Sequence, residues 1–293
     1  MITKSPVLLE KSAKKDYNSI KLDNYVRMQT TYMKIKETAT VISQECLCDG
    51  VFSIWMTTNI AKSASCGQFV SVYPQSGGRL LPRPISICEI DSKSGSIRLV
   101  YRAVGGGTRE LSRLTAGDRV EVLGPNGNGF FAAVSQEIGP DTKALLAGGG
   151  IGIPPMLELA KELSCEVSIV AGYKSSDEMF LTDELSGAGK LFVSTDDGSY
   201  GTKGTVIDAI RENAITCDII FACGPHPMLS GIKSYSEEIK VPAYVSMEER
   251  MACGIGACLG CTCRSVHTDD HSKVRNKRVC ADGPVFDASE VVI

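Results

Sequence analysis

Cys253-Gly-Ile-Gly-Ala-Cys258-Leu-Gly-Cys261 leaves four residues between the first two thiols and two between the next pair. With a further thiol downstream this is the spacing of a plant-type [2Fe–2S] site, and Cys280 is placed to supply that ligand. Gly254, Gly256 and Gly260 permit tight turns around a cluster and leave N–H groups free to face its sulfides. Zinc is the competing chemistry, because Cys258 and Cys261 also form a C-x-x-C pair. Cys263 competes with Cys280 for the fourth position, but it lies so close to Cys261 that a strained chelate would be needed. The expected metal ligands are therefore Cys253, Cys258, Cys261 and Cys280, with Cys263 beside them.

A second set of residues has the chemistry of nucleotide binding. Gly148-Gly149-Gly150-Ile-Gly152-Ile-Pro-Pro follows a predicted strand and opens a predicted helix, an arrangement that offers backbone N–H groups to a pyrophosphate; the same glycines could serve only to seat a helix on a sheet. Cys223-Gly224-Pro225 ends another predicted strand, where open α/β sheets bind ligands. Cys223 is then either a neighbour of a nicotinamide ring or a small side chain in an ordinary turn. Asp196, in Asp196-Asp197-Gly198, could accept hydrogen bonds from a ribose and would disfavour a 2′-phosphate, hence NAD over NADP; a solvated turn is the plain alternative. Arg83-Pro84-Ile85-Ser86 offers a guanidinium to a phosphate with a hydroxyl nearby. Val104-Gly-Gly-Gly107-Thr108 offers a backbone nest, and Tyr101 a ring for stacking. The three histidines, His226, His267 and His271, form no Ser-His-Asp or metal-hydrolase pattern, which argues against hydrolysis.

These residues need elements to position them. Met33, Ile35, Ala39 and Val41 alternate with Lys34, Lys36, Thr38 and Thr40, the period of a half-buried strand. Residues 51–57, 97–104 and 119–123 alternate likewise, and Gly/Pro turns separate them, so the first part reads as a small antiparallel barrel. After Gly139-Pro140-Asp141 the texture changes to short apolar runs, 144–147, 166–171, 190–194 and 218–222, read as buried parallel strands. Pro155 can open a helix whose inner face is Met156, Leu159, Ala160 and Leu163. Strand and helix in alternation indicate an open α/β sheet. From Met247 regular periodicity stops. The expected division is an extension at 1–32, a barrel at 33–140, an α/β domain at 141–246 and a cluster-bearing segment at 247–293.

Composition narrows the function classes. The 293 residues carry 31 basic and 34 acidic side chains, a net −3 with no strongly basic segment, which argues against nucleic acid. The longest weakly polar stretch, 144–157, is interrupted by glycine and proline, so no membrane span is expected. The start has no apolar leader, and twelve cysteines are too sparse for a disulfide scaffold, so a reducing cytoplasm is the expected setting.

Arg83-Pro-Ile-Ser86, Gly107-Thr108, Gly148-Gly-Gly-Ile-Gly, Cys223-Gly-Pro and the cysteine cluster, in that order, resemble the ferredoxin-NADP reductase superfamily. Glu249-Arg-Met-Ala-Cys253-Gly-Ile-Gly-Ala-Cys258-Leu-Gly-Cys261, followed by Val279-Cys280-Ala-Asp-Gly-Pro-Val-Phe, is more narrowly similar to the electron transfer subunits of NAD-dependent (class 1B) dihydroorotate dehydrogenase. The resemblance runs from about Met33 to the end and departs at the N-terminal extension, at Gly106, where such proteins often carry lysine, and at the additional Cys263. It implies a six-stranded FAD barrel, an NAD-binding sheet and a C-terminal [2Fe–2S] segment. It further implies FAD contacts from Arg83, Pro84, Ile85, Ser86, Val100, Tyr101, Arg102, Gly107 and Thr108, NAD as substrate, and cluster ligation by Cys253, Cys258, Cys261 and Cys280. The implied partner is a separate FMN-containing subunit that oxidises dihydroorotate to orotate in pyrimidine biosynthesis, with two copies of each chain. Alternatives are a reductase subunit serving ferredoxin or a glutamate-synthase-like partner, and, from another class, a zinc-stabilised nucleotide-binding module.

Overall fold

The alternation that begins near Met33 becomes a long strand, β1 (Ile35–Cys48), with Ala39 and Val41 buried and the intervening lysine and threonines exposed. In the computed structural model the described residues are 34–268 and 273–293, all within one unit, Met33–Ile293. The extension expected at 1–32, and His271, lie outside the described residues.

Five strands join β1 in a closed antiparallel barrel: β2 (Val51–Thr57), β3 (Phe69–Val72), β4 (Arg83–Asp91), β5 (Ser96–Arg102) and β6 (Arg119–Asn126), in the order β1-β2-β5-β4-β3-β6. β1 pairs with β6 through Ile35–Thr40 and with β2 through Thr40–Cys48. Its register shifts at Val41/Ser43 and Cys46/Cys48 bend it far enough to serve both neighbours and close the sheet. The barrel is filled by Ile54, Met56, Ile87, Ile97, Leu99 and Val122, all fully buried, while Phe52 packs at its edge. Two short helices follow its strands, α1 (Gly106–Leu111) after β5 and α2 (Phe130–Ala133) after β6.

The second sheet comprises β7 (Lys143–Gly149), β8 (Glu166–Tyr173), β9 (Lys190–Thr195), β10 (Thr202–Lys203), β11 (Ile219–Cys223) and β12 (Ala243–Ser246), all parallel where they pair. Helices α3 (Pro154–Glu162), α4 (Thr182–Ala188), α5 (Val206–Glu212) and α6 (His226–Ile239) connect them. Tandem prolines open α3, where absent N–H groups cost nothing, and Met156, Leu159 and Ala160 are buried as their spacing requires. The order β10-β9-β8-β7-β11-β12 reverses direction between β7 and β11, which opens a crevice at the carboxyl ends of those two strands.

The tail is more regular than its sequence indicates. β13 (Thr262–Arg264) pairs with β14 (Asn276–Arg278), and β15 (Val285–Asp287) adds an antiparallel edge strand to β12, making the large sheet seven-stranded and mixed. Strands of three residues are too short to display a period. Barrel and sheet also share a core, in which Val51, Cys88, Val100 and Phe130 pack with Leu146, Met156, Leu157 and Phe221. Polar contacts reinforce this join: Ile90 N donates to Glu158 of α3 at 3.0 Å, and buried Arg98 donates to Glu89 at 2.7 Å and to Glu184 of α4 at 3.4 Å. Among the described residues no helix is long and apolar enough to cross a membrane.

Candidate functional site

A cavity of about 820 Å3 runs from the barrel into the crevice between β7 and β11. On the barrel side Pro84, Ile85 and Ser86 of β4, Val100, Tyr101 and Arg102 of β5, and Thr108 of α1 line it. On the sheet side Gly149, Gly150 and Gly152 face Cys223, Gly224 and Pro225. The two loops touch so closely that a Cβ on Gly152 would lie 2.2 Å from the Cys223 carbonyl oxygen, so only glycine fits there. Asp196 lines the far end, whereas Asp197 turns away to accept from Ser199 N at 2.9 Å.

Three of the expected nucleotide residues lie outside this lining. Gly148 packs against Ile153, where any Cβ would sit 2.9 Å from the Ile153 Cα; the first glycine of the run therefore seats the following turn. Arg83 and Gly107 lie against each other beside the cavity, with a small pocket behind them lined also by Tyr73, Glu110 and Leu114. Arg83 Nη1 donates to the Leu81 carbonyl at 2.8 Å.

Side chains that face the cavity are held from behind. The Tyr101 hydroxyl donates to Gln44 Oε1 at 2.8 Å and its ring stacks with Phe52 at a centroid distance of 6.1 Å. Burial of the Cys223 thiol, with Glu248 nearby, outweighs the Ser246 hydroxyl and pushes its pKa up to about 12, so it is a neutral thiol at physiological pH. Ser194, at the end of β9, is 1% exposed and its Oγ has no partner among the described residues, although it borders the cavity. A buried hydroxyl left unpaired costs roughly 1–3 kcal/mol, and a ribose or base placed there would satisfy it.

Sequence reading missed Ser194, Glu178, which pairs with Arg102 at 2.9 Å, and Ser246, Glu248, Glu249 and Met251 at the mouth. The position of Ser246 at the end of a parallel strand is the one signal that could have found it.

The cysteine segment begins next to that mouth. Cys253 Sγ accepts from Ile255 N at 3.5 Å and Cys258 N at 3.4 Å, Cys258 Sγ from Gly260 N at 3.4 Å, and Cys280 Sγ from Gly256 N at 3.1 Å. Burial opposes the Cys253 thiolate, but these backbone donors outweigh it and bring its pKa down to about 6. Cys258 acts on Cys253, and both Cys261 and Cys253 act on Cys280, so the four thiols are neighbours; among the described residues no three His, Cys, Asp or Glu side chains are arranged to hold one metal ion. Cys263 is buried in β13, where Glu249 and Lys277 are the charged groups that act on it. Gly254 and Gly256 adopt left-handed φ values of 68° and 85°, but the third such residue is Leu259, at 57°, in place of the expected Gly260.

Residues 248–292 match the family model for the iron–sulfur cluster binding domain of dihydroorotate dehydrogenase B. The electron transfer subunit of dihydroorotate dehydrogenase B (NAD(+)) from Geobacillus thermodenitrificans is 41% identical over 264 residues, 88% of this chain and 99% of the relative. The corresponding subunit from Listeria monocytogenes serotype 4a is 43% identical over 254 residues, 86% of this chain and 96% of the relative. A solved structure, described as giving insights into flavin-based electron bifurcation via the NADH-dependent reduced ferredoxin-NADP oxidoreductase, superposes with a TM-score of 0.76 at 30% identity, over 87% of this chain and 89% of the other. A ferredoxin NADP+ reductase from Neisseria gonorrhoeae, at 13% identity and a TM-score of 0.57, shares the fold over 70% of this chain and 91% of its own. With this identity sustained along nearly the whole length of the relatives, the chain belongs to the family of dihydroorotate dehydrogenase B (NAD(+)) electron transfer subunits.

Proposed function

We propose that this chain passes electrons from a separate dihydroorotate-oxidising subunit to NAD+, using a [2Fe–2S] cluster and FAD. The observation that carries the reading is the continuity of one cavity from Pro84–Ser86 and Val100–Arg102 to the paired glycine and Cys223 loops, a connected space in which a flavin and a nicotinamide would be near enough for hydride transfer. When bound, the cluster exchanges single electrons and the flavin one or two, which joins a one-electron carrier to a hydride acceptor.

The chain's own residues bind and orient. Arg83, Gly107 and Thr108 hold flavin phosphates, and Gly149, Gly150 and Gly152 receive the pyrophosphate of NAD. Asp196 and Ser194 take the adenosine end, where a carboxylate disfavours a 2′-phosphate. Cys223, as a neutral thiol, packs beside the nicotinamide and moves no proton. Cys253, Cys258, Cys261 and Cys280 would supply the four thiolates that a [2Fe–2S] cluster takes, and their C-x4-C-x2-C spacing with a downstream cysteine suits such a cluster better than a single zinc ion. The barrel at 33–140, the sheet at 141–246 and the segment at 247–293 thus each house one carrier.

In the full reaction dihydroorotate loses two electrons and two protons at the partner, NAD+ gains a hydride equivalent, and one proton goes to solvent. The partner carries FMN, and the assembly holds two copies of each chain. A second reading, a reductase subunit serving ferredoxin, has in its favour the 30% identity to the NADH-dependent reduced ferredoxin-NADP oxidoreductase structure. Anaerobic titration of the purified chain with NADH tests the shared part: flavin and iron–sulfur absorption should both bleach, and a colourless protein would contradict the proposal. Co-purification with a dihydroorotate-oxidising flavoprotein, as opposed to ferredoxin, separates the two readings.

A further inference from the structure

The backbone donors to Cys253 and Cys258 lie within one loop, whereas the contact from Gly256 N to Cys280 Sγ, at 3.1 Å, joins residues 24 apart in sequence. The loop that carries Cys253, Cys258 and Cys261 meets Cys280 at that contact. Gly256 is held there from its other side as well, because its carbonyl oxygen accepts from Arg278 Nη1 at 3.2 Å. An ideal Cβ on Gly256 would lie 2.8 Å from the Ala281 Cβ and 3.3 Å from Arg278 Nη1. Loop and downstream turn are therefore in close contact at this one residue.

The Arg278 guanidinium is locked in the orientation that contact needs. Nη2 donates to Asp282 Oδ1 at 2.7 Å and Nε to Asp282 Oδ2 at 3.0 Å, the two parallel bonds of a bidentate pair. Asp282 is fixed in turn, since its Oδ2 accepts from Arg278 N at 2.7 Å and its own N donates to the Arg278 carbonyl at 2.7 Å. Asn128 fastens the same turn to the barrel: its N donates to the Gly283 carbonyl at 2.6 Å and its Nδ2 to the Asp282 carbonyl at 3.2 Å. The Arg278 and Asp282 side chains are 40% and 35% exposed, and an ion pair that open adds little to stability. Its effect is to aim Nη1 at Gly256.

Hydrogen bonds to the ligand sulfurs set the potential of an iron–sulfur cluster, and they favour the reduced state because it is the more negative one. We propose that Arg278 is a positioning residue of the cluster site: through the Gly256 carbonyl it holds the Gly256 N–H on Cys280 Sγ, and so raises the reduction potential. The inference rests on the [2Fe–2S] reading given above and adds a residue that the cysteine spacing does not mark.

The test is a redox titration of the full chain followed by electron paramagnetic resonance, with iron analysis alongside. Arg278→Gln should lower the reduction equilibrium of the cluster about threefold, roughly 30 mV for a one-electron couple. Arg278→Lys keeps a cationic donor and should recover at least half of that shift. Lys277→Gln removes the same charge from the neighbouring position, where the side chain pairs with Glu290 instead of Gly256, and should shift the equilibrium less than half as far. A wild-type potential in Arg278→Gln, or equal shifts in Arg278→Gln and Lys277→Gln, would overturn the role of Arg278. If Arg278→Gln holds no iron, retention of iron by Arg278→Lys supports the role and loss from both variants overturns it. A wild-type chain without iron would overturn the cluster reading itself.

Discussion

The Arg102 guanidinium donates to the Glu178 carboxylate at 2.9 Å, tying the last residue of β5 across the cavity to the turn after β8. Both side chains are about one-third exposed, at 33% and 30%, so the pair contributes at most about 1 kcal/mol to stability. Glu178→Gln should therefore shift Tm by no more than about 4 °C. With FAD in the proposed site, the substitution would leave Arg102 without its carboxylate beside the flavin, which favours the more negative reduced form. The flavin midpoint potential should rise by about 10–30 mV, the equivalent of one exposed ion pair for a two-electron couple. Spectroelectrochemistry checks this, and an unchanged or lowered potential would contradict it.

Glu158 gives the barrel–sheet contact a pH dependence. Burial, helped by the neighbouring Glu162 and Glu89 carboxylates, raises its pKa to about 7 against the Ile90 N–H and Lys161, which lower it. The folded chain then holds a proton that the unfolded chain, at an ordinary value near 4.5, gives up. Stability from this group is intact below 4.5 and is lost as pH rises to 7. Glu158→Gln should be nearly neutral at pH 4.5 and stabilising by up to about 3 kcal/mol at pH 8. Urea unfolding of both proteins across that range checks the sign, and an offset independent of pH would contradict it.

Cys280 and Cys263 separate ligand from bystander. Cys280 faces Cys261 and accepts from Gly256 N, whereas Cys263 sits in a strand pair with Lys277 across from it. Cys280→Ser should abolish or grossly weaken the iron–sulfur bands and lower iron from about two per chain towards none. Cys263→Ser should retain both. Iron analysis and electron paramagnetic resonance of the reduced proteins decide between them.

The buried Ser194 hydroxyl has no partner among the described residues, and in the proposed site a nucleotide would supply one. Ser194→Ala should leave the free chain as stable or slightly more so, and should raise the NADH dissociation constant about fivefold, the value of one hydrogen bond of about 1 kcal/mol. Equal NADH affinity in the two proteins would place the dinucleotide elsewhere.

Much of this architecture is legible in the sequence because the signals are local. Alternation at Ala39 and Val41 marks β1, tandem prolines mark the start of α3, and the thiol spacing marks the cluster loop. What escaped reading depends on distant contacts. Arg79 reaches Gly106 only because Glu110 pins its loop, and Glu178 meets Arg102 only once the barrel docks on the sheet. Leu259 carries the left-handed turn expected of Gly260, a conformation that costs a residue with a side chain roughly 1–2 kcal/mol and that local preference therefore does not announce.

The most direct test of the relay is orotate-dependent oxidation of NADH by the purified chain, with and without the dihydroorotate-oxidising subunit. The account predicts sustained NADH oxidation only when both subunits are present, and its loss when Cys280→Ser replaces the wild-type chain. Turnover of orotate by this chain alone, or full turnover of the assembly with Cys280→Ser, would contradict it.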